Sequence, residues 1–243
     1  MQRRHFEYKT TIATLLAEPA FFEAGERSLR RSRDLLEAYI LEDPVFLESH
    51  LPVSPQPGAD ALVVSMAAEA AKVGVGPMAA VAGAFAETCL CDMRGAGAEQ
   101  AVVDNGGDIA FLIKHRVRVG IYAGASQIRD LAFELEPRPD PFGICTSSGT
   151  VGPSFSYGRT DAAVVVSRNT VLADAAATAL GNRVRFNADL KTCFDFLETI
   201  EEIEGALVIL GDRIALWGNL PRLVRAEIQM DRISRGKKPA GVG

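Results

Sequence analysis

Asp174 and Thr178 stand four apart in Ala173-Asp174-Ala175-Ala176-Ala177-Thr178-Ala179-Leu180, which on a helix puts both on one face. Their neighbours are almost all alanine, so that face leaves room for something to approach. A carboxylate and a hydroxyl suit magnesium, which keeps waters and ligand phosphates in its other positions. The alternative is local: Asp174 favours the start of its own helix and Thr178 returns a bond to a backbone carbonyl. A second cluster, Asp104-Asn105-Gly106-Gly107-Asp108, joins two strand patterns. Its glycines would let a ligand reach the backbone while Asp108 accepts hydrogen bonds from it. Equally, the two carboxylates could sit solvated beside a primed hairpin turn.

The stretch 143–158 carries no charge but holds four glycines, one proline and seven side-chain hydroxyls. Glycine entropy and competing hydroxyls rule out a helix there. Ile144, Val151, Phe155 and Tyr157 need cover, so it is no solvated linker either. A loop of this kind suits an uncharged or phosphorylated ligand held near Thr146, Ser147, Ser148, Gly149 and Thr150. Gly149 is expected to leave room for that ligand or to take a positive φ. The competing reading is a buried turn whose serines satisfy local backbone groups. Gly74-Val75-Gly76-Pro77-Met78-Ala79 fits a relaxed dinucleotide fingerprint, but a helix pattern precedes it where a strand is required. What survives is a helix start near Gly76 and Met78 that offers free N–H groups to an anion, or else a plain helix–helix turn. His5, His50 and His115 pair with no Ser or Cys in a triad pattern. Arg159 and Asp161 either orient a ligand at the loop's end or pair with each other.

These residues need elements to hold them. Alternation over 6–16 predicts one strand, and 26–41 an amphipathic helix whose Arg27, Arg30, Arg31 and Arg33 form a solvated face or, less simply, a phosphate clamp. Three prolines make 51–58 a semi-rigid connection. Small-residue helices are expected at 60–72 and 77–89, and strands at 102–112 (two, about the glycine turn), 116–122, 131–136 and 162–166. Helices at 172–184 and 190–203 precede a hairpin over 206–217 and a last strand within 220–228. The tail 234–243 is expected to be disordered. Each half runs alanine-rich helix, apolar strand, Gly-Asp turn and Ile-Ala, which suggests one α+β body over 1–233 built from two similar halves.

Composition narrows the partners. The 243 residues carry a net charge of −5 and no basic run longer than a pair, which argues against nucleic acid and anionic membranes. Apolar content of 48% with 7% aromatic gives a largely aliphatic core. The first nine residues lack the apolar stretch of a signal peptide, and the uncharged run near 73–86 is too short to span a bilayer, so the cytoplasm is the expected location. Cys89, Cys91, Cys145 and Cys193 are then free thiols, and the single Cys-Leu-Cys pair does not make a zinc site.

Val-Gly-Pro-Met-Ala-Ala-Val-Ala-Gly (75–83), Asn-Gly-Gly-Asp (105–108), Thr-Ser-Ser-Gly-Thr-Val-Gly (146–152) and Ala-Asp-Ala-Ala-Ala-Thr-Ala-Leu (173–180) occur in that order. Together they resemble a branch of the ApbE-like superfamily, whose namesake is the FAD:protein FMN transferase. The resemblance implies an ApbE-like α+β fold related to a duplicated T-fold, with FAD or FMN as a nucleotide-type ligand. It implies Asn105 to Asp108 and Ser148-Gly149 beside that ligand, and Asp174 and Thr178 on Mg2+ together with a backbone carbonyl from 76–80. Two family groups have no counterpart. The transferase's lysine falls at Gly83, and its His-x-x-Asp-Pro segment meets 150–161, which contains no histidine. Standard FMN transfer is therefore not expected; the competing enzyme reading is an active magnesium-dependent FAD:protein FMN transferase, with Asp174 and Thr178 holding a metal that draws charge from the pyrophosphate. A non-catalytic assembly module, with the sheet serving subunit contacts in a homo-oligomer, is the reading from an unrelated class.

Overall fold

The structure is a computed structural model that describes residues 1–124, 126–149 and 158–226. It opens with β1 (Gln2–Tyr8) and β2 (Thr11–Ala17), paired antiparallel with Phe6 opposite Ala13. The expected single strand over 6–16 is thus a hairpin. Lys9 turns the chain with φ 53°, and a two-residue connection shifts the inward face from even positions (Phe6) to odd ones (Ala13, Leu15, Ala17). Alternation across the turn masked that change of parity.

The long helix α1 (Phe22–Glu42) buries Phe22, Gly25, Leu29, Ser32 and Leu36, the helical spacing of one apolar face. All four of its arginines have protein partners. Arg27 meets Glu23 and Arg31 meets Asp92 as ion pairs, Arg33 donates to the Thr11 hydroxyl at 2.8 Å, and Arg30 lies over the Phe6 and Tyr8 rings. A five-residue helix α2 (Pro44–Glu48) follows. Helix α3 (Ala61–Lys72) starts on Asp60, whose carboxylate accepts the Leu62 N–H at 2.8 Å. The chain then bends by 102° and resumes as a 3-10 turn over Pro77–Ala80 running into α4 (Val81–Gly95). Among the described residues no single helix is long and apolar enough to cross a membrane.

Next come β3 (Ala101–Asn105), β4 (Asp108–Leu112), β5 (Val117–Ile121), β6 (Leu131–Leu135), β7 (Phe142–Ser147) and β8 (Ala162–Ser167). Helix α5 (Thr170–Arg183) leads through 3-10 turns to β9 (Ile203–Leu210), β10 (Arg213–Gly218) and β11 (Arg222–Arg225). Two expectations are corrected. The first residues of the hydroxyl stretch are strand β7, paired with β4 and β8. The helix expected over 190–203 is instead two 3-10 turns, Asn187–Lys191 and Asp195–Leu197, with Ile203 already in β9. Asp189 explains it: its carboxylate takes the N–H groups of Arg185 and Phe186, both at 2.8 Å, and so ties the backbone into a turn. The tail 234–243 and residues 150–157 of the hydroxyl stretch lie outside the described residues.

Eight strands form one antiparallel sheet in the order β1-β2-β3-β4-β7-β8-β9-β10, and β11-β6-β5 form a second. The alternating sides of the large sheet feed two cores. Ala13, Leu15, Val103, Cys145, Val165 and Val208 face the helices, while Phe111, Phe142, Ile144, Val164, Leu207 and Ile209 face the small sheet. Each fully buried side chain of this size contributes about 1.5–3 kcal/mol. The α+β body is therefore three layers, with α5 pressed between the sheet and the other helices. Eleven of its residues are buried, which is why its sequence is mostly alanine.

Candidate functional site

Helix α4 starts without a side-chain cap of its own, because position 80 is alanine. The cap comes from another helix. Asp174 on α5 accepts the Gly83 N–H through Oδ2 at 2.8 Å and also the Ala82 N–H. From the β3–β4 turn, the Asn105 amide donates to the Ala82 carbonyl at 3.1 Å. That turn is built as the sequence demands: Gly106 and Gly107 take φ +76° and +106°, and the Gly107 N–H donates to Asp104 at 2.9 Å. Asp108 then enters β4 and accepts the Thr146 N–H at 3.3 Å.

Gly83 is what lets these parts meet. A Cβ built there would lie 2.5 Å from the Thr170 carbonyl oxygen and 2.7 Å from the Asp174 Cβ. Gly143 of β7 packs the same way, with a Cβ 2.7 Å from the Thr170 Cα. The first turn of α5 is thus clamped between two glycines, and the Cys145 thiol donates to the Thr170 carbonyl at 3.5 Å.

The electrostatics of this pocket are unusual. Burial, and after it the nearby Asp174, pushes the Asp108 carboxyl well above the usual carboxylate range. Burial likewise raises Asp174 to about 7, against the pull of the Gly83 and Ala82 N–H groups. The Cys145 thiol is pushed up by burial and by both carboxylates. Two carboxyls and a thiol share one desolvated volume at the positive end of a helix, an arrangement that a cation would stabilise strongly. Among the described residues no three His, Cys, Asp or Glu groups are arranged to hold a metal. Magnesium needs only one or two carboxylates from the protein.

The remaining candidates fall in two places. Thr178 is half-buried on α5, one turn beyond Asp174, and Gly181 lies on the same face seven residues on, about 10 Å along the axis. A Cβ at Gly181 would stand 3.6 Å from the Ser147 hydroxyl and 3.5 Å from that of Thr160. Ser148 is buried beside them, and the Gly149 N–H donates to the Thr160 carbonyl at 3.0 Å. Gly149 does not take a positive φ. Its missing side chain makes way for the Gly158 carbonyl, 2.4 Å from a built Cβ. Gly76 is explained in the same manner: the Ser49 carbonyl would come within 1.8 Å of a Cβ there. Met78 is half-buried and packs on the helix-side core. Asp161 ties down the β9–β10 turn by accepting the Gly211 N–H at 2.7 Å, and Arg159 is exposed. Thr150 lies outside the described residues.

Cys145 and Glu87 escaped the sequence reading. The thiol's place follows from strand register alone, one step beyond the Ile109–Ile144 pair and so opposite Asp108. Glu87, four residues after Gly83 on α4, accepts the Thr170 N–H at 2.6 Å, a contact no local pattern announces. Removing the Asn105 amide tests the turn's grip on α4. Asn105→Ala should cost about 1 kcal/mol, the net worth of one such bond, with unchanged far-UV circular dichroism. A urea midpoint equal to wild type would show that the bond contributes nothing.

The arrangement of sheets and helices matches that of solved ApbE structures. Flavin Transferase ApbE from Vibrio cholerae superposes with a TM-score of 0.56 at 11% identity, covering 89% of this chain and 96% of that one. The apo Pseudomonas stutzeri flavinyl transferase ApbE gives 0.56 at 14% identity, over 88% and 93%. The fold is that of an ApbE-like α+β protein. The family model described as "AbpE bacteria" matches residues 3–193. A UPF0280 protein of Methanocella arvoryzae is 47% identical over 231 residues, covering 95% of this chain and 94% of its own, and one of Methanosarcina acetivorans is 44% identical over 235 residues, covering 96% and 93%. The chain belongs to this ApbE-like family, in the branch that the UPF0280 proteins form.

Proposed function

We propose that the protein binds a flavin nucleotide, FAD or FMN, along the face of α5 that runs from Asp174 through Thr178 to Gly181, with magnesium at the Asp174 end. The observation that carries this reading is a pair of neighbouring carboxyls with raised pKa values, the buried Asp174 at the start of α4 and the half-buried Asp108 on β4. Asp174 and Thr178 would hold the cation, which would draw charge from a pyrophosphate. Asn105 to Asp108 would border the ligand at that end with Thr146 beside Asp108, and Ser147 to Thr150 would supply hydroxyls and backbone N–H groups toward the other. Gly76 and Met78 sit upstream of α4 and would contribute through the backbone, since the space above Gly76 is filled by Ser49.

FMN transfer is not part of the proposal. The family's lysine position is Gly83, and 150–161 has no histidine. Free cysteines at 89, 91, 145 and 193 fit a reducing cytoplasm. The strand order supports the further reading of 1–233 as two similar halves: helices are inserted after β2 in the first four strands and after β8 in the last four.

Mass spectrometry of small molecules released on denaturation, with calorimetric titration of FAD and FMN in the presence of magnesium, tests the reading. Flavin in the released fraction or saturable binding is the expected result, and a colourless protein that takes up neither nucleotide would overturn it. Incubation with FAD and a peptide that the true transferase modifies should leave the peptide unlabelled. Covalent flavin on it would assign the transferase activity that the missing groups argue against.

A further inference from the structure

Helices α4 and α5 cap one another. Asp174, in the second turn of α5, takes the N–H groups of Ala82 and Gly83 at the start of α4. Glu87, in the second turn of α4, takes the N–H of Thr170 at 2.6 Å and that of Val171 at the start of α5. Each carboxylate therefore satisfies orphan donors of the other helix and meets the positive end of its dipole. The two contacts bracket the crossing point, where Gly83 leaves no space between α4 and the Thr170 carbonyl. Neither bond stands alone, because lengthening one slides α5 along α4 and strains the other.

We propose that Glu87 is a positioning residue: by fastening the first turn of α5 it sets where the Asp174 carboxylate sits relative to α4 and Asp108. This rests on the reading of the Asp108–Asp174 pocket as a cation site only for its consequence, not for the clasp itself. Glu87 touches neither carboxyl and would touch no cation there. It lines a 320 Å³ crevice together with Ser32, Ser65, Thr88 and Val171, so shortening it enlarges an existing space and does not open a void in the sealed core. Burial raises its pKa, the cost expected of a carboxylate kept away from water for its two backbone bonds.

The test compares Glu87→Ala and Glu87→Gln with Asn169→Ala. Asn169 caps the same end of α5 through Leu172 at 2.9 Å but bonds nothing on α4. Amide hydrogen exchange is followed at Ala82 and Gly83, across the crossing from the altered bond. Glu87→Ala should lose about tenfold protection at these two amides, Glu87→Gln less, and Asn169→Ala none beyond its global change in stability. Equal protection at Ala82 and Gly83 in Glu87→Ala and wild type, with α5 itself loosened, would overturn the proposal, since Glu87 would then be an ordinary cap. In parallel, magnesium alone is titrated into each protein. Wild-type binding that weakens at least fivefold in Glu87→Ala but not in Asn169→Ala supports positioning. Equal affinity in all three overturns it, and no binding by wild type sinks the cation site while the exchange result still decides the clasp.

Discussion

A lysine at position 83 is expected to unfold the protein, although the resemblance places the transferase's lysine there. The Gly83 Cα faces the first turn of α5, and even a methyl group would lie 2.5 Å from the Thr170 carbonyl oxygen, a backbone atom that cannot rotate away. Gly83→Ala must push α4 off α5 by enough to break the Asp174 cap. Overpacking costs roughly 1–3 kcal/mol, and a lost cap adds about 1 kcal/mol. For a chain of this size that corresponds to a fall in melting temperature of about 10 °C. Gly83→Lys adds a long charged chain at a helix crossing with no exit, and should leave no cooperative transition. Thermal melts of both variants check this. A soluble Gly83→Lys that melts near wild type would mean the helices separate easily, and the whole account of the pocket would fail with it. A lysine at position 83 is thus excluded by the packing of this chain, and one substitution cannot introduce it.

The second large effect is a pH dependence that runs opposite to that of a salt-bridged carboxylate. Asp174 has its pKa raised from 3.8 to about 7 by burial. In the range between those values the folded protein binds a proton that the unfolded chain releases, so stability falls as pH rises through it. Below the unfolded value there is no penalty, and above the folded value the penalty is complete. Three units correspond to about 4 kcal/mol, part of which is shared with Asp108 because the two carboxyls interact. Asp174→Asn keeps an oxygen to accept from α4 and cannot ionise. It should be close to wild type at pH 4 and more stable at pH 8, with a flatter profile between. Magnesium should act in the opposite sense, raising wild-type stability at pH 8, where the carboxylates are ionised, and doing nothing at pH 4. Urea denaturation from pH 4 to 8, with and without magnesium, reads all of this. A wild-type protein equally stable at both ends, or an Asp174→Asn curve parallel to it, would show that Asp174 is not desolvated. Full removal is a different experiment: Asp174→Ala strips the cap from α4 and should destabilise the fold even without a metal.

Several parts of the molecule were written into local sequence. The alternation of Val102, Val103 and Phe111 about Gly106-Gly107 specifies a hairpin, because side chains two apart share a face and only glycine takes consecutive positive φ values cheaply. The uncharged run 162–167 is a strand buried on both sides, and the alanine run after Asn169 is a helix pressed on all sides. The order of four motifs was enough for the family, and the family for the fold. Local pattern failed where one side chain redirected the backbone. Asp189 turned an expected helix into 3-10 turns, and Lys9 split one strand into two.

The site divides along the same line. Sequence placed Asp174 and Thr178 on one helix face and Asn105 to Asp108 at one turn, since spacings of three or four residues determine which side chains share a surface. What those residues face was decided only by the tertiary structure. Asp174 and Gly83 are 91 residues apart, as Asn105 and Ala82 are 23. Nothing in either neighbourhood says that one helix will cap the other, or that Gly76, Gly149 and Gly83 are small because Ser49, Gly158 and Thr170 lie against them. A glycine records that space is needed but not what fills it, and a carboxylate records charge but not how dry its surroundings are. Both are settled only when packed elements bring distant backbone into contact and exclude the water between.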